Sequence, residues 1–300
     1  MSTTREELPK GVHRVVKLPS HELGELWDSI ILDQAIKDQL IGQAIVNFTI
    51  RQQVARSILP LHGTILLVGV PGTGKTSLAR GLAHKTAECF KSSKFTLLEI
   101  DPHALSSAMM GKTQKAVSDL FSQTIAESAM AGPTIVLLDE VETLAADRSK
   151  LSLQANPVDV HRATDAVLVQ LDLLAESHKN LLFVATSNFP QAVDSAFTSR
   201  CDLVLIIPPP NKEACEQILV SCLKGLGKSF PSLGHLPSSS GFNAVVNAVQ
   251  GLDGRAIRKV VASALTMRKE VAIKPNDLTI ADLVKAAKLS KSMRISKGDE

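Results

Sequence analysis

The chain has 300 residues, 44% of them hydrophobic, and a formal net charge of +3. That is enough apolar material for a sizeable core and about two domains, and too little net charge to argue for nucleic acid as the partner. With one Trp, no Tyr and aromatics at 3%, the chain also lacks the side chains of a base-stacking platform.

The four cysteines, Cys89, Cys201, Cys215 and Cys222, are nowhere spaced as C-x-x-C. They read as buried thiols of a reducing compartment, not as zinc ligands or disulfides. The N-terminus has no apolar centre of a signal peptide, and no apolar run is long enough to span a membrane. A soluble, cytoplasmic protein is expected.

Residues 1–19 are polar and interrupted by Pro9, Gly11 and Pro19, which suggests a flexible arm. Leu26-Trp27-Asp28-Ser29-Ile30-Ile31 follows. Its Ile30 and Ile31 either pack in the core or wall an adenine pocket. Residues 33–58 carry Ile36, Leu40, Ile41, Ala44, Ile45 and Phe48 at helical spacing. Thr64 to Val68 is an apolar, β-branched run that suits a buried strand. Directly after it, Gly69-Val70-Pro71-Gly72-Thr73-Gly74-Lys75-Thr76 fits G-x-x-x-x-G-K-[ST], the phosphate-binding P-loop. A helix is expected from Ser77 to Phe90, so the strand–loop–helix context is complete. The glycines let backbone N–H groups curl around a phosphate. Lys75 supplies a charge for the β- and γ-phosphates, and the Thr76 hydroxyl can ligate Mg²⁺. ATP and Mg²⁺ are the expected ligands, with Gly69 to Ser77 as the binding stretch.

Four further strands are expected at 95–100, 134–138, 181–185 and 203–207. Between the first two of these lie a loop holding Met109-Met110-Gly111-Lys112 and a helix with Ala116, Val117, Leu120, Phe121, Thr124 and Ile125 on one face. Residues 144–159 read as an irregular loop and 160–177 as a helix. Strands alternating with helices give a five-stranded parallel sheet covered on both faces. Pro208-Pro209-Pro210 closes this domain. The remainder reads as helices near 212–224, 241–250, 253–271 and 278–289, with a loop over 231–240 and a frayed tail from 290. The expected division is an arm at 1–19, a nucleotide-binding domain at 20–210 and a small helical lid at 211–300.

The strand at 134–138 ends in Asp139-Glu140. Two acids at the carboxyl edge of such a sheet stand where ligands bind. Asp139 can hold Mg²⁺ through its water shell, and Glu140 can polarise the attacking water. Asn188 ends the next strand and can position that water. Arg200 and Arg255 are the candidate cations for charge developing on the γ-phosphate.

Taken together, these elements resemble an AAA+ ATPase, with Walker A at 69–76, Walker B at 135–140, sensor 1 at Asn188, the arginine finger at Arg200 and sensor 2 at Arg255. The segments Leu26–Ile31, Asp139–Ala146, Pro157–Asp172 and Leu252–Arg255 are similar to the pachytene-checkpoint family. The likeness runs over residues 20–290. It implies a homo-hexameric ring that partly unfolds HORMA-domain proteins and releases them from their partners. The short N-terminal stretch resembles the bacterial members, which lack the N-terminal substrate domain and accompany HORMA proteins and cyclic-oligonucleotide synthases in antiphage defence. In the family the pore loop presents a bulky aromatic. Here Met109-Met110-Gly111-Lys112 stands in that place, as a flexible apolar grip or as core residues. The competing class is an AAA+ protein acting on nucleic acid, of clamp-loader or initiator type, against which the near-neutral charge weighs.

Overall fold

The structure, a computed structural model, describes residues 8–101, 118–143, 157–189, 191 and 193–298. It divides into two compact units. The first comprises residues up to Gly69 and Lys75–Ile207, and the second comprises Val70–Gly74 and Pro208 onward.

The first unit is built on a six-stranded sheet. Its strands are β1 (Val12–Leu18), β2 (Thr64–Val68), β3 (Phe95–Ile100), β4 (Thr134–Leu138), β5 (Leu181–Ser187) and β6 (Leu203–Ile206), in the order β1-β3-β4-β5-β2-β6. The five strands from β2 to β6 are parallel, as alternation with helices requires. β1 is a sixth, antiparallel to β3, with Val12 opposite Ile100 and Leu18 opposite Phe95. The sheet is therefore mixed and one strand wider than the sequence suggested, and residues 12–18 are not a flexible arm. Val12, Arg14, Val16 and Leu18 turn inward and alternate with exposed His13, Val15 and Lys17. Pro9, Gly11 and Pro19, which point to a loop, all fall outside the strand.

The strands bury residues on both faces with period two. Ile65, Leu67, Leu97, Ile135, Leu137 and Val184 face a layer that includes Leu23, Trp27, Leu40, Phe48, Leu78 and Leu82. These come from α1 (His21–Ser29), α2 (Gln34–Phe48) and the P-loop helix α4 (Lys75–Cys89). Leu66, Val68, Val136, Leu138, Phe183 and Ala185 face Leu120, Phe121, Ile125, Val167 and Leu171. Leu120–Ile125 is a π-helical stretch that runs into α5 (Ala126–Ala131), and α6 spans Pro157–Ser177. The expected helix over 33–58 stops early. Thr49 leaves helical geometry with its hydroxyl donating to Ile45 O at 2.7 Å, and a single turn, α3 (Ile50–Gln53), follows. A short α7 (Ser195–Thr198) precedes β6.

The second unit, beyond Pro208, is helical: α8 (Lys212–Gly227), α9 (Pro231–His235), α10 (Phe242–Val249), α11 (Gly254–Thr266), α12 (Lys269–Ile273) and α13 (Ile280–Gly298). Asn211 and Asp253 cap α8 and α11 by accepting from Ala214 N and Ala256 N. Their apolar faces meet through Ile218, Leu219, Val245, Val246, Ile257, Val260 and Leu283, all buried. Three expectations give way here. The helix read over 253–271 breaks at Arg268, whose backbone is extended and whose guanidinium forks onto Asp282 at 2.7 and 2.9 Å. The loop over 231–240 contains α9, with Pro at its start. The tail continues as α13 to Gly298. Among the four thiols Cys215 is buried, Cys201 and Cys222 are half-buried, and Cys89 is exposed at the last turn of α4, contrary to the sequence reading. Burial pushes the Cys201 thiol up to about 12.

Two stability predictions follow from buried charge. Arg51 is 4% exposed, and its guanidinium donates to Leu181 O at 2.7 Å, Ala175 O at 2.8 Å and Asn47 Oδ1 at 3.0 Å. Burial pulls its pKa down to about 10. Arg51→Met should cost about 2–4 kcal/mol, because buried carbonyls lose their donor, and should lower the melting temperature of the first unit. In the second unit, Arg268 first and then Thr279 hold the Asp282 carboxyl down at about 2, against an ordinary 3.8. Its contribution is complete above 3.8 and is lost as pH falls through about 2. Helical circular dichroism should record that loss between those values, and Asp282→Asn should remove this part of the pH dependence.

Candidate active site

The parallel register sets which residues meet. Leu138 pairs with Ala185, so Asp139 follows beside Thr186. Val68 pairs with Ser187, so Gly69 follows beside Asn188. Gly69 N donates to Ser187 O at 3.2 Å and continues this pairing past the strand. β5 thus lies between the strand that feeds the P-loop and the strand that ends in the two acids.

At this edge the side chains form a connected cluster. Lys75 is buried at the first turn of α4 and donates to Gly69 O and Asn188 Oδ1, each at 2.8 Å. The other end of the Asn188 amide, Nδ2, donates to Glu140 Oε1 at 3.3 Å. Thr76 Oγ1 donates to Asp139 Oδ1 at 2.8 Å. Thr186 Oγ1 donates to the same carboxylate oxygen and accepts from Glu140 N at 3.1 Å. Glu140 itself has φ +51, a left-handed conformation that costs a non-glycine residue about 1–2 kcal/mol. The Thr186 hydroxyl braces that turn.

Asp139 and Thr76 bring a carboxylate and a hydroxyl together, the hard oxygen ligands that Mg²⁺ takes. Among the described residues no group of three or more His, Cys, Asp or Glu is placed to hold a metal. In the P-loop, Gly72 and Gly74 have φ +86 and +91, which only glycine adopts freely. A Cβ on Gly72 would fall 2.1 Å from Asp253 Oδ1, and Gly72 O accepts from Arg255 N at 3.3 Å. Both partners belong with Gly72 in the second unit.

The other candidates lie elsewhere. Arg200 forks onto Asp172, with Nη2 to Oδ2 at 2.7 Å and Nε to Oδ1 at 3.1 Å, and Nη1 donates to Ala196 O at 2.7 Å. The pair holds the Asp172 carboxyl below its usual range and raises Arg200. Arg56 stands 3.7 Å and His62 4.0 Å from the same carboxylate. The Arg255 side chain is exposed. Ile30 is half-buried against the core on the α1 and α2 side of the sheet, and Ile31 is half-buried. Met109, Met110, Gly111 and Lys112 lie outside the described residues, as do residues 144–156 of the loop read over 144–159; residues 157–159 instead open α6, with Pro157 at its start. Two members of the cluster carry no sequence signal of their own. Thr186 looks like any strand residue. Glu142, whose Oε1 accepts from Asn188 N at 3.0 Å, looks like a surface acid.

Residues 65–209 match the family described as ATPase family associated with various cellular activities (AAA). The chain is 67% identical over 293 residues to CD-NTase-associated protein 6 of Pseudomonas aeruginosa, covering 98% of this chain and 96% of that one. It is 35% identical over 217 residues to the Pachytene checkpoint protein 2 homolog of Rattus norvegicus, covering 70% of this chain and half of the rat protein's length. A chain of the solved E. coli MS115-1 HORMA:CdnC:Trip13 complex has the same fold, with a TM-score of 0.72 at 19% identity over 92% of this chain and 94% of that one. The phosphate loop, the paired acids and these relatives agree: the chain belongs to the AAA ATPases, among the relatives of the pachytene checkpoint proteins.

Proposed function

We propose that this chain is an ATP-driven remodeller of a HORMA-domain protein in a CD-NTase defence system. The observation that carries this reading is the likeness to CD-NTase-associated protein 6 over nearly the whole of both chains. By its name that relative is associated with a CD-NTase. A chain of the same fold occurs in a complex with HORMA and CdnC, and the sequence segments similar to the checkpoint family support the HORMA substrate. A homo-hexameric ring is part of the proposal, with Met109 and Met110 gripping polypeptide at its axis.

In this reading Gly69 to Ser77 hold ATP, and Lys75 turns from Asn188 to the β- and γ-phosphates. Thr76 and Asp139 would hold Mg²⁺, which supplies charge neutralisation at the phosphates. Asn188 orients a water, and Glu140 takes its proton as the oxygen attacks the γ-phosphorus. The bond from phosphorus to the bridging oxygen breaks, and its electrons leave with ADP. Ile30 and Ile31 wall the adenine, and Arg255 reaches the nucleotide of its own subunit. Arg200 serves a neighbouring subunit's γ-phosphate and must first part from Asp172.

Three outcomes test the reading. Glu140→Gln should retain ATP affinity by calorimetry and release phosphate at least about 10²-fold more slowly; near-normal turnover would place the base elsewhere. Thr186→Val keeps the side-chain volume and removes the hydroxyl that holds Asp139 and braces Glu140. It should lower turnover at limiting Mg²⁺ by about 10- to 100-fold, as loss of an outer-shell partner does. With the cognate HORMA–CD-NTase complex, the wild-type chain and ATP should release HORMA protein on a sizing column. An intact complex after complete ATP turnover would rule out the remodelling role.

A further inference from the structure

We infer that Glu142 is the positioning residue of the hydrolytic centre and acts through Asn188. The inference rests on the hydrolytic reading above. Asn188 is the hinge of the cluster: its side-chain oxygen accepts from Lys75 at 2.8 Å and its nitrogen donates to Glu140 at 3.3 Å. An amide that must serve the phosphate-binding cation and the base together has to be fixed in both place and direction. β5 does not fix it, since that strand ends at Ser187. Beyond the strand, the Asn188 backbone N–H is held by the Glu142 carboxylate at 3.0 Å.

Glu142 is suited to this by its own placement. It sits in the 3₁₀ turn Val141–Thr143 that follows directly on the two acids. Val141 anchors the turn with a fully buried side chain in the core. The carboxylate therefore leaves the same turn as Glu140 and returns to the end of the next strand. Its second oxygen, Oε2, is buried without a hydrogen-bond partner among the described residues. Keeping a carboxylate oxygen out of water costs free energy, so a side chain serving only solubility would not sit this way. The contact to Asn188 is what the placement secures. The result is a closed path: the turn after β4 carries both the base and the clamp on the amide that orients it.

Glu142 acts by reach, not by charge, and two mild substitutions separate these. Glu142→Gln keeps the length and an oxygen acceptor but loses the charge. Glu142→Asp keeps the charge and withdraws the acceptor by one methylene. Steady-state phosphate release and nucleotide affinity are to be measured for both, in the full chain and again in an Asn188→Ala background. Glu142→Asp should lower kcat about ten- to hundredfold with ATP affinity unchanged, the usual cost of a misplaced positioning group. Glu142→Gln should recover most of that loss. In the Asn188→Ala background, Glu142→Asp should cost little further, since the residue through which it acts is gone. The inference is overturned if Glu142→Asp turns over like wild type, if Glu142→Gln falls as far as Glu142→Asp, or if the loss persists in full without Asn188. A wild-type chain that released no phosphate would instead overturn the hydrolytic reading itself.

Discussion

Everything at the candidate site depends on the pairing register of three parallel strands. β2 and β5 end level with one another and β4 stops two residues earlier, and Gly69, Asn188 and Asp139 are the residues that first step off their ends. A slip of one residue would exchange the two faces of a strand. It would carry Ile65 and Leu67 from one helical layer into the other and part Asp139 from Thr186. The register is held by burial on both faces, since every residue of β2, β4 and β5 is buried. The energy that sets the hydrogen bonds of the cluster thus comes from the two apolar layers that cover the faces of the sheet.

The cluster itself is a small set of shared atoms. One carboxylate oxygen of Asp139 takes two hydroxyl donors. One amide, on Asn188, meets a lysine and a glutamate with its two ends. Sharing makes the groups interdependent. In the proposed reaction, moving Lys75 toward a phosphate would free the Asn188 oxygen, and the same amide holds Glu140. Binding at one end of the cluster would therefore be felt at the other through two hydrogen bonds, and the strained Glu140 turn is kept in register by Thr186.

Much of this was legible in the sequence, for physical reasons. The P-loop announces itself because glycines at positive φ, a lysine and a hydroxyl must stand at fixed spacing. The paired acids are legible because they end an unbroken apolar run. The five parallel strands follow from apolar segments spaced by helices. What stayed hidden has no local signature. Thr186 and Glu142 meet the site through residues 46 and 47 positions away in the chain, and the Arg200–Asp172 pair spans 28. The break in the helix at Arg268 comes from a side chain reaching Asp282, with no Gly or Pro to mark it. β1 was obscured by its flanks: the turn-forming residues around it overshadowed an alternation only seven residues long.

β1 also shows why residues 12–18 matter beyond their length. The strand runs against its neighbour and pairs along the whole of β3, from Phe95 to Ile100. Those six residues are buried on every side chain, so β3 reads as an interior strand only while β1 is present. A chain trimmed to begin at residue 20, where the motifs alone would draw the boundary, would turn β3 into a bare edge of unpaired N–H and C=O groups beside an apolar layer. Edges of that kind recruit strands from other molecules. Residues 12–18, read as part of an arm, are the selvedge of the sheet, the finished border that keeps it from being woven into a neighbour.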